Sequence, residues 1–366
     1  VTAPVVASQS SFAIESQATQ VAATSTAAQN ASTAYFLSQV ATGRDAELFY
    51  ETDAVTDLAQ RTARVVDSFS SAAARSTDAF IADAIANLSG KRYRAIGIRN
   101  TLGLAGERGV RTGVTTAGVI GRAADTYRYQ QSLLDKQFIA DVAAGVSTPT
   151  ELTSPLDAAV ERVRRGTQLN VALATRNQAA ATMASAADAG LITGYRRVLH
   201  AELSHEGSCG LCVADSTRVY HSNHLMAMHP GCHCIPVPVS ARHDPGAAIN
   251  DRDLGRFYSD AGGTSAEKLR ATRYKVDDHG EVGPVLRPHG DPIRTEQQAR
   301  RDTNRARAKT PEQALRTLRN KRDALARAYG QASRGQTDPA WRERLDGINK
   351  RLARIETQIV KLEGRR

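Results

Sequence analysis

Residues 194–239 read GYRRVLHAELSHEGSCGLCVADSTRVYHSNHLMAMHPGCHCIPVPV, and they hold all four cysteines of the chain and most of its nine histidines. Cys209-x-x-Cys212 has the spacing of a zinc knuckle, in which a tight turn lets two thiolates grip one face of a tetrahedral ion. The return His229-Pro230-Gly231-Cys232-His233-Cys234 offers three further donors within six residues. Cys209, Cys212 and Cys234 are the first choices as ligands, with Cys232 or His229 as the fourth; a Cys-x-Cys pair on one ion is strained. Disulfides staple small secreted chains across separated positions, whereas crowded cysteines in a chain of 366 residues point to a metal in a reducing compartment. His205, His221, His224 and His233 are expected at the surface or beside the ligands.

A structural zinc fits this donor set better than a catalytic one. Catalysis at zinc needs an open coordination position and a general base, and thiolate-rich ligation leaves little Lewis acidity. His200-Ala201-Glu202 ahead of Cys209-x-x-Cys212 mimics a zinc deaminase signature, yet no proline precedes Cys209 and the gap is too short for the intervening strand and helix. No catalytic residue is assigned.

Outward from this segment the chain reads as mainly α. Helices are expected over 53–88, over roughly 105–144 and from Ser154-Pro155 to Gly190, where Ser154 is the N-cap, Pro155 the first helical residue and Asp157 the third. Residues 1–52 are rich in Ala, Ser and Thr and read as a low-complexity arm or an exposed helix. Beyond residue 243 the sequence is loop-rich, with one β-hairpin turning at Asp278-His279-Gly280. Thr310-Pro311-Glu312-Gln313 is a capping box, and Asp338-Pro339 starts the last helix. That helix carries Trp341, Leu345, Ile348, Leu352, Ile355, Ile359 and Leu362 at heptad spacing. Leu315, Leu318, Leu325 and Tyr329 stripe the helix before it, so an antiparallel helical hairpin is expected, with a self-associating coiled coil as the alternative. Arg322 falls where that stripe asks for an apolar residue.

The resulting fold class is mainly α: a helical N-terminal region, a small zinc-stapled α+β module and a C-terminal antiparallel helical hairpin. The expected divisions are an arm (1–52), a helical domain (53–194), a zinc module with a β-hairpin (195–290), a charged linker (291–309) and a basic hairpin (310–366). Residues 291–366 contain 20 Lys and Arg against 10 Asp and Glu, which accounts for the whole net charge of +10. Contacts with phosphate or an acidic partner belong in that tail. No aromatic residues interleave with its basic ones, so stacking on single-stranded bases is not expected. No stretch approaches the roughly 20 apolar residues of a membrane span. The first residues have neither the basic start nor the apolar core of a secretory signal, which places synthesis in a cytoplasm.

The cysteine–histidine segment resembles the phage Mu F-protein-like family of minor capsid, or head-morphogenesis, proteins. That pattern is a helix entering a C-x-x-C knuckle, a variable loop with an aromatic residue, and a return H-x-x-C-x-C followed by a short apolar strand. Here these correspond to Tyr195-Arg196-Arg197-Val198, then Cys209 and Cys212, Tyr220, then His229, Cys232 and Cys234, then Ile235-Pro236-Val237. The entry TGYRRVLH (193–200) and the segment HGEVGPVL (279–286) resemble actinobacteriophage versions; the likeness spans about 150–290. It implies a protein carried in few copies inside the virion head, and present in the host bacterial cytoplasm during assembly. The implied partners are the portal protein and the major capsid or a scaffold protein, and the implied roles are portal incorporation, head assembly or DNA ejection; packaged double-stranded DNA is the partner that the basic C-terminal region, outside the likeness, would meet. Such proteins are often labelled capsid maturation proteases, which stands as the alternative function.

Overall fold

The computed structural model describes residues 3–42, 45–98, 110–111, 113–146, 152–203, 210–221, 233–260, 274–279, 282–288, 295, 297–298, 311–334 and 338–364. The order of elements is α1 (Ala3–Thr42), α2 (Thr52–Ser89), α3 (Thr116–Ala143), α4 (Pro155–Asp188), β1 (Gly194–Val198), α5 (Gly210–Ser216), β2 (Val219–Tyr220), β3 (Ile235–Val239), α6 (Pro245–Asp260), β4 (Tyr274–His279), β5 (Gly283–Pro288), α7 (Pro311–Ala332) and α8 (Pro339–Glu363). The fold is mainly α, with an antiparallel sheet in the order β2-β1-β3 and a separate hairpin β4-β5. Among the described residues, no helix is long and apolar enough to cross a membrane. The chain packs into two compact units, each drawn from three separated stretches: 1–35, 59–120 and 163–299 for the first, and 36–58, 121–162 and 300–366 for the second.

In the first unit, parts of α1, α2 and α4 pack through small side chains. The residues expected as a low-complexity arm form α1, and Ala18, Ala28 and Ser32 on it are buried. Ala28 meets Ala73 and Val171, and the Ser32 and Thr167 hydroxyls lie 2.9 Å apart. Alanine and serine let helix backbones approach closely, and a threonine or serine hydroxyl in such an interface is satisfied by a neighbour or by its own helix. Thr167 also donates to the Val163 carbonyl one turn back. Helix α4 begins as its sequence dictates, with the Ser154 hydroxyl accepting from the Asp157 N–H at 3.4 Å. It ends at Gly190 (φ 67°), where the Leu191 N–H reaches back to the Ala186 carbonyl at 3.0 Å.

The helix expected from about 105 begins later. Arg111 and Val114 form an isolated β-bridge, Gly113 sits at φ 69°, and Thr115 accepts from the Gly118 N–H at 3.0 Å as the N-cap of α3. Residues 99–109 lie outside the described residues. Tyr195-Arg196-Arg197-Val198, which the resemblance assigns to a helix, is instead the central strand of the sheet. Tyr195 and Val198 are buried, and Gly194 admits β2 so closely that a Cβ there would collide with the Tyr220 carbonyl. Its edge partner β3 (IPVPV) aligns Arg197 with Pro236 and Tyr195 with Pro238. Prolines lack an N–H donor and are tolerated on an edge. Helix α6 was not expected; Asp244 caps it by accepting from the Ala247 N–H at 3.0 Å. In the distal hairpin, Asp278 pairs with Pro284 and His279 with Gly283, so both are ladder residues and not turn residues. The ladder outruns the turn signal because each added pair gains backbone hydrogen bonds.

In the second unit α7 and α8 form the expected antiparallel hairpin. Arg319 near the start of α7 reaches Glu363 at the end of α8 at 2.5 Å. Asp338 caps α8, accepting from the Ala340 N–H at 2.7 Å. Leu315, Leu325, Trp341, Leu345, Ile348, Ile355 and Ile359 are buried in one core. Phe138 of α3 joins that core, its ring 5.9 Å from Trp341. Thr310 of the capping box lies outside the described residues.

Candidate metal centre

The two arginines of β1 fasten the elements around the cysteines. Arg196 donates through Nε to Asp244 at 2.8 Å and through Nη1 to the Ser216 carbonyl at 2.9 Å, holding the end of α5 and the cap of α6. Arg197 Nη1 lies 2.6 Å from Asp215 Oδ2, with both side chains almost wholly buried. The Tyr220 hydroxyl donates to the Asp215 carboxylate, and its ring stacks on Tyr195 with centroids 5.5 Å apart. The Arg197 guanidinium covers the same ring at 5.9 Å. Burial pushes the Asp215 carboxyl above the usual carboxylate range, against the opposing pull of Arg197 and the Tyr220 hydroxyl. The ion pair therefore holds α5 to β1 in a dry setting, and removing one partner would strand the other.

Cys212 lies in the first turn of α5, and Cys234 stands immediately ahead of β3; both are buried. The Cys234 thiol is close enough to Asp215 and Tyr195 to bear on their ionisation. Asn250 of α6 supports the same region, accepting from the Leu199 N–H at 3.2 Å and donating to the Arg197 carbonyl at 2.8 Å. His200 follows, its side chain 2% exposed and its Nδ1 2.9 Å from Glu202 Oε1. His200 Nε2 is buried with no hydrogen-bond partner among the described residues. His233 is half-buried; burial pulls its imidazole down, with Cys234 opposing and His200 adding.

Of the five ligands expected from sequence, the structure brings Cys212 and Cys234 into this module. Cys209, His229 and Cys232 lie outside the described residues, as do His205 and His224. His221 is exposed. Among the described residues there is no group of three or more His, Cys, Asp or Glu able to hold a metal ion. Cys212 and Cys234 are nevertheless of the donor type that zinc takes, since buried thiols are the softest donors a chain offers.

A cavity of about 320 Å³ lies beside Cys234 and His233, between α1 and α4. Its walls are chiefly aliphatic, with Ser25, Arg165, Gln168, Thr175, Arg176 and His233 as polar contributors. Arg176 donates to the Val282 carbonyl at 2.6 Å, and burial, with Arg197 adding, pulls its guanidinium down to about 10. Sequence reading assigned no role to Asp215, Asn250 or Arg176. An acid three residues after Cys212 is a signal for Asp215, but its arginine partner is 18 positions earlier on a strand.

Comparison of the chain with known protein families, with curated proteins and with solved structures finds no match.

Proposed function

We propose that this chain is a bacteriophage minor capsid protein of the phage Mu F-protein-like type, acting in head morphogenesis, with its 195–290 module held by one structural zinc ion. The observation that carries the reading is the Cys209-x-x-Cys212…His229-x-x-Cys232-x-Cys234 run, set between the buried strand β1 and the apolar strand β3, with Cys212 and Cys234 both buried. Thiolate-rich coordination contributes folding free energy and no turnover. The chain then works by presenting surfaces, to the portal protein and to the major capsid or scaffold protein, inside the head.

The basic tail bears on the DNA contact. Lys321 and Arg351 engage the buried Asp135 of α3 at 2.6 and 3.0 Å, Arg344 engages Asp141 at 3.0 Å, and Lys361 reaches Glu51 at 2.5 Å. These four cations are thus engaged within their own unit. Arg316 and Arg327 are exposed and supply phosphate contacts of this proposal, through counterion release and without base readout.

The second reading is a capsid maturation protease, favoured by the His200–Glu202 pair, which has the histidine–carboxylate form of a general base. Co-expression with the major capsid protein separates the two. The head-morphogenesis reading expects an uncut capsid protein, whereas specific cleavage abolished by His200→Ala or Ser204→Ala establishes the protease. Mass spectrometry of purified virions tests the main proposal: the chain is expected in few copies per particle, and its absence from particles would refute it.

A further inference from the structure

Neither the zinc nor the capsid reading uses the cavity between α1 and α4, and its lining has a definite chemistry. We propose that it is a binding site for a medium-chain aliphatic carboxylate, with the carboxylate at Arg176 and the chain running along α4 toward Arg165.

The space follows from residue size. Where Ala28 meets Val171 and the Ser32 and Thr167 hydroxyls lie 2.9 Å apart, the two helices are in close contact. The cavity is lined by Ala18, Ala22 and Ser25 of α1 and Ala172 of α4, side chains too short to close it. The start of β3, with Cys234 just ahead of it, supplies a third wall. Protein interiors hold few voids larger than a water molecule. At about 320 Å³ this one has the size of a small-ligand pocket.

Burial is graded along its α4 wall. Arg165 is exposed, Gln168, Leu169 and Ala172 are half-buried, and Thr175 and Arg176 are buried. These six positions recur at helical spacing and make one continuous wall. The wall runs roughly 16 Å from Arg165 to Arg176. The open end is therefore at Arg165 and the closed end at Arg176.

Charge sets the class of occupant. Two arginines and no Asp or Glu stand among the described residues of the lining. A guanidinium has five N–H donors, so an arginine that already holds other partners can still receive a carboxylate. Arg176 Nη2 donates to the Val282 carbonyl at 2.6 Å, which anchors the group at the closed end. Burial and the nearby Arg197 pull the Arg176 guanidinium down to about 10, so an anion beside it is favoured. Aliphatic surroundings screen that attraction only weakly. A sugar or a nucleotide would need a polar lining throughout, which these walls do not offer.

The test is calorimetric titration of the full-length protein with decanoate, decanol and acetate. Wild type should bind one decanoate per chain at micromolar concentration, decanol at least about 10-fold more weakly, and acetate not measurably at millimolar concentration. Arg176→Gln should weaken decanoate at least about 10-fold and leave decanol unchanged. Ala172→Trp and Ala22→Trp fill the cavity from opposite walls with the cation intact, and each should abolish binding of both ligands while helical circular dichroism is retained. No decanoate binding by wild type, equal affinity for decanoate and decanol, or undiminished binding in either folded tryptophan variant would overturn the assignment. Loss of the Arg176→Gln variant to misfolding leaves the decanoate–decanol ratio of wild type to decide.

Discussion

Asp78 lies within α2 with its side chain buried, accepting from the Gly97 N–H at 2.7 Å, the Ile96 N–H at 3.3 Å and the Thr182 hydroxyl at 2.6 Å. One carboxylate thereby ties the segment after α2 to helix α4. Hydrogen bonds to a charged acceptor contribute about 1.5–3 kcal/mol each, and buried donors left without an acceptor are penalised further. Asp78→Ala should lower unfolding free energy by roughly 3 kcal/mol or more, and Asp78→Asn by less because one acceptor oxygen survives; urea denaturation checks both. At this scale the sequence is least informative. An acid amid Ala, Ser and Thr reads as a solvated helix face, and its donors lie 18, 19 and 104 positions away. Cys212 and Cys234 stood out as candidates because the spacing that suggests ligands is local. Asp215 did not, because its arginine is fixed by strand pairing.

Elements with local start and stop chemistry were readable, and those defined by distant partners were not. Ser154-Pro155, Asp338-Pro339 and Gly190 stand where the caps and the stop of α4 and α8 fall. Asp244-Pro245 is the same signal as Asp338-Pro339, and α6 shows that it should be given equal weight inside a loop-rich stretch. The heptad spacing of α8 identified its buried face, but α3 as a third wall of that core depends on contacts some 200 residues apart. Arg322, misplaced in the apolar stripe of α7, is accommodated at the rim by Asp323 at 2.8 Å and Glu356 at 3.7 Å. Ile355→Asp should destabilise the second unit by about 4 kcal/mol or more, since burial of an isoleucine is lost and a charge enters the core. Loss of helical circular dichroism on mild heating of the full chain measures it. Asp135→Ala should cost about 2–4 kcal/mol, less than for a fully dry pair because Lys321 is 26% exposed. A matching loss in Lys321→Ala, non-additive in the double variant, would establish the pairing.

Across the whole molecule, four long helices each contribute residues to both compact units, whereas the divisions expected at residues 53, 195 and 310 are consecutive in sequence. Small side chains explain why. A helix rich in Ala, Ser and Thr has no strong apolar period, yet it packs closely through residues such as Ala28 and Ser32. The proposed zinc module is the exception, because its candidate donors cluster within one short stretch of chain. If zinc staples it, metal removal and ligand loss act alike: Cys234→Ser should unfold the 195–243 segment, read as new protease-sensitive sites confined to it, while the α7–α8 hairpin stays helical. The most direct measurement is the metal content of the full-length protein purified under reducing conditions. One zinc per chain, lost on chelation together with protection of 195–243, is the predicted result; metal-free protein with that segment still protected would contradict the account.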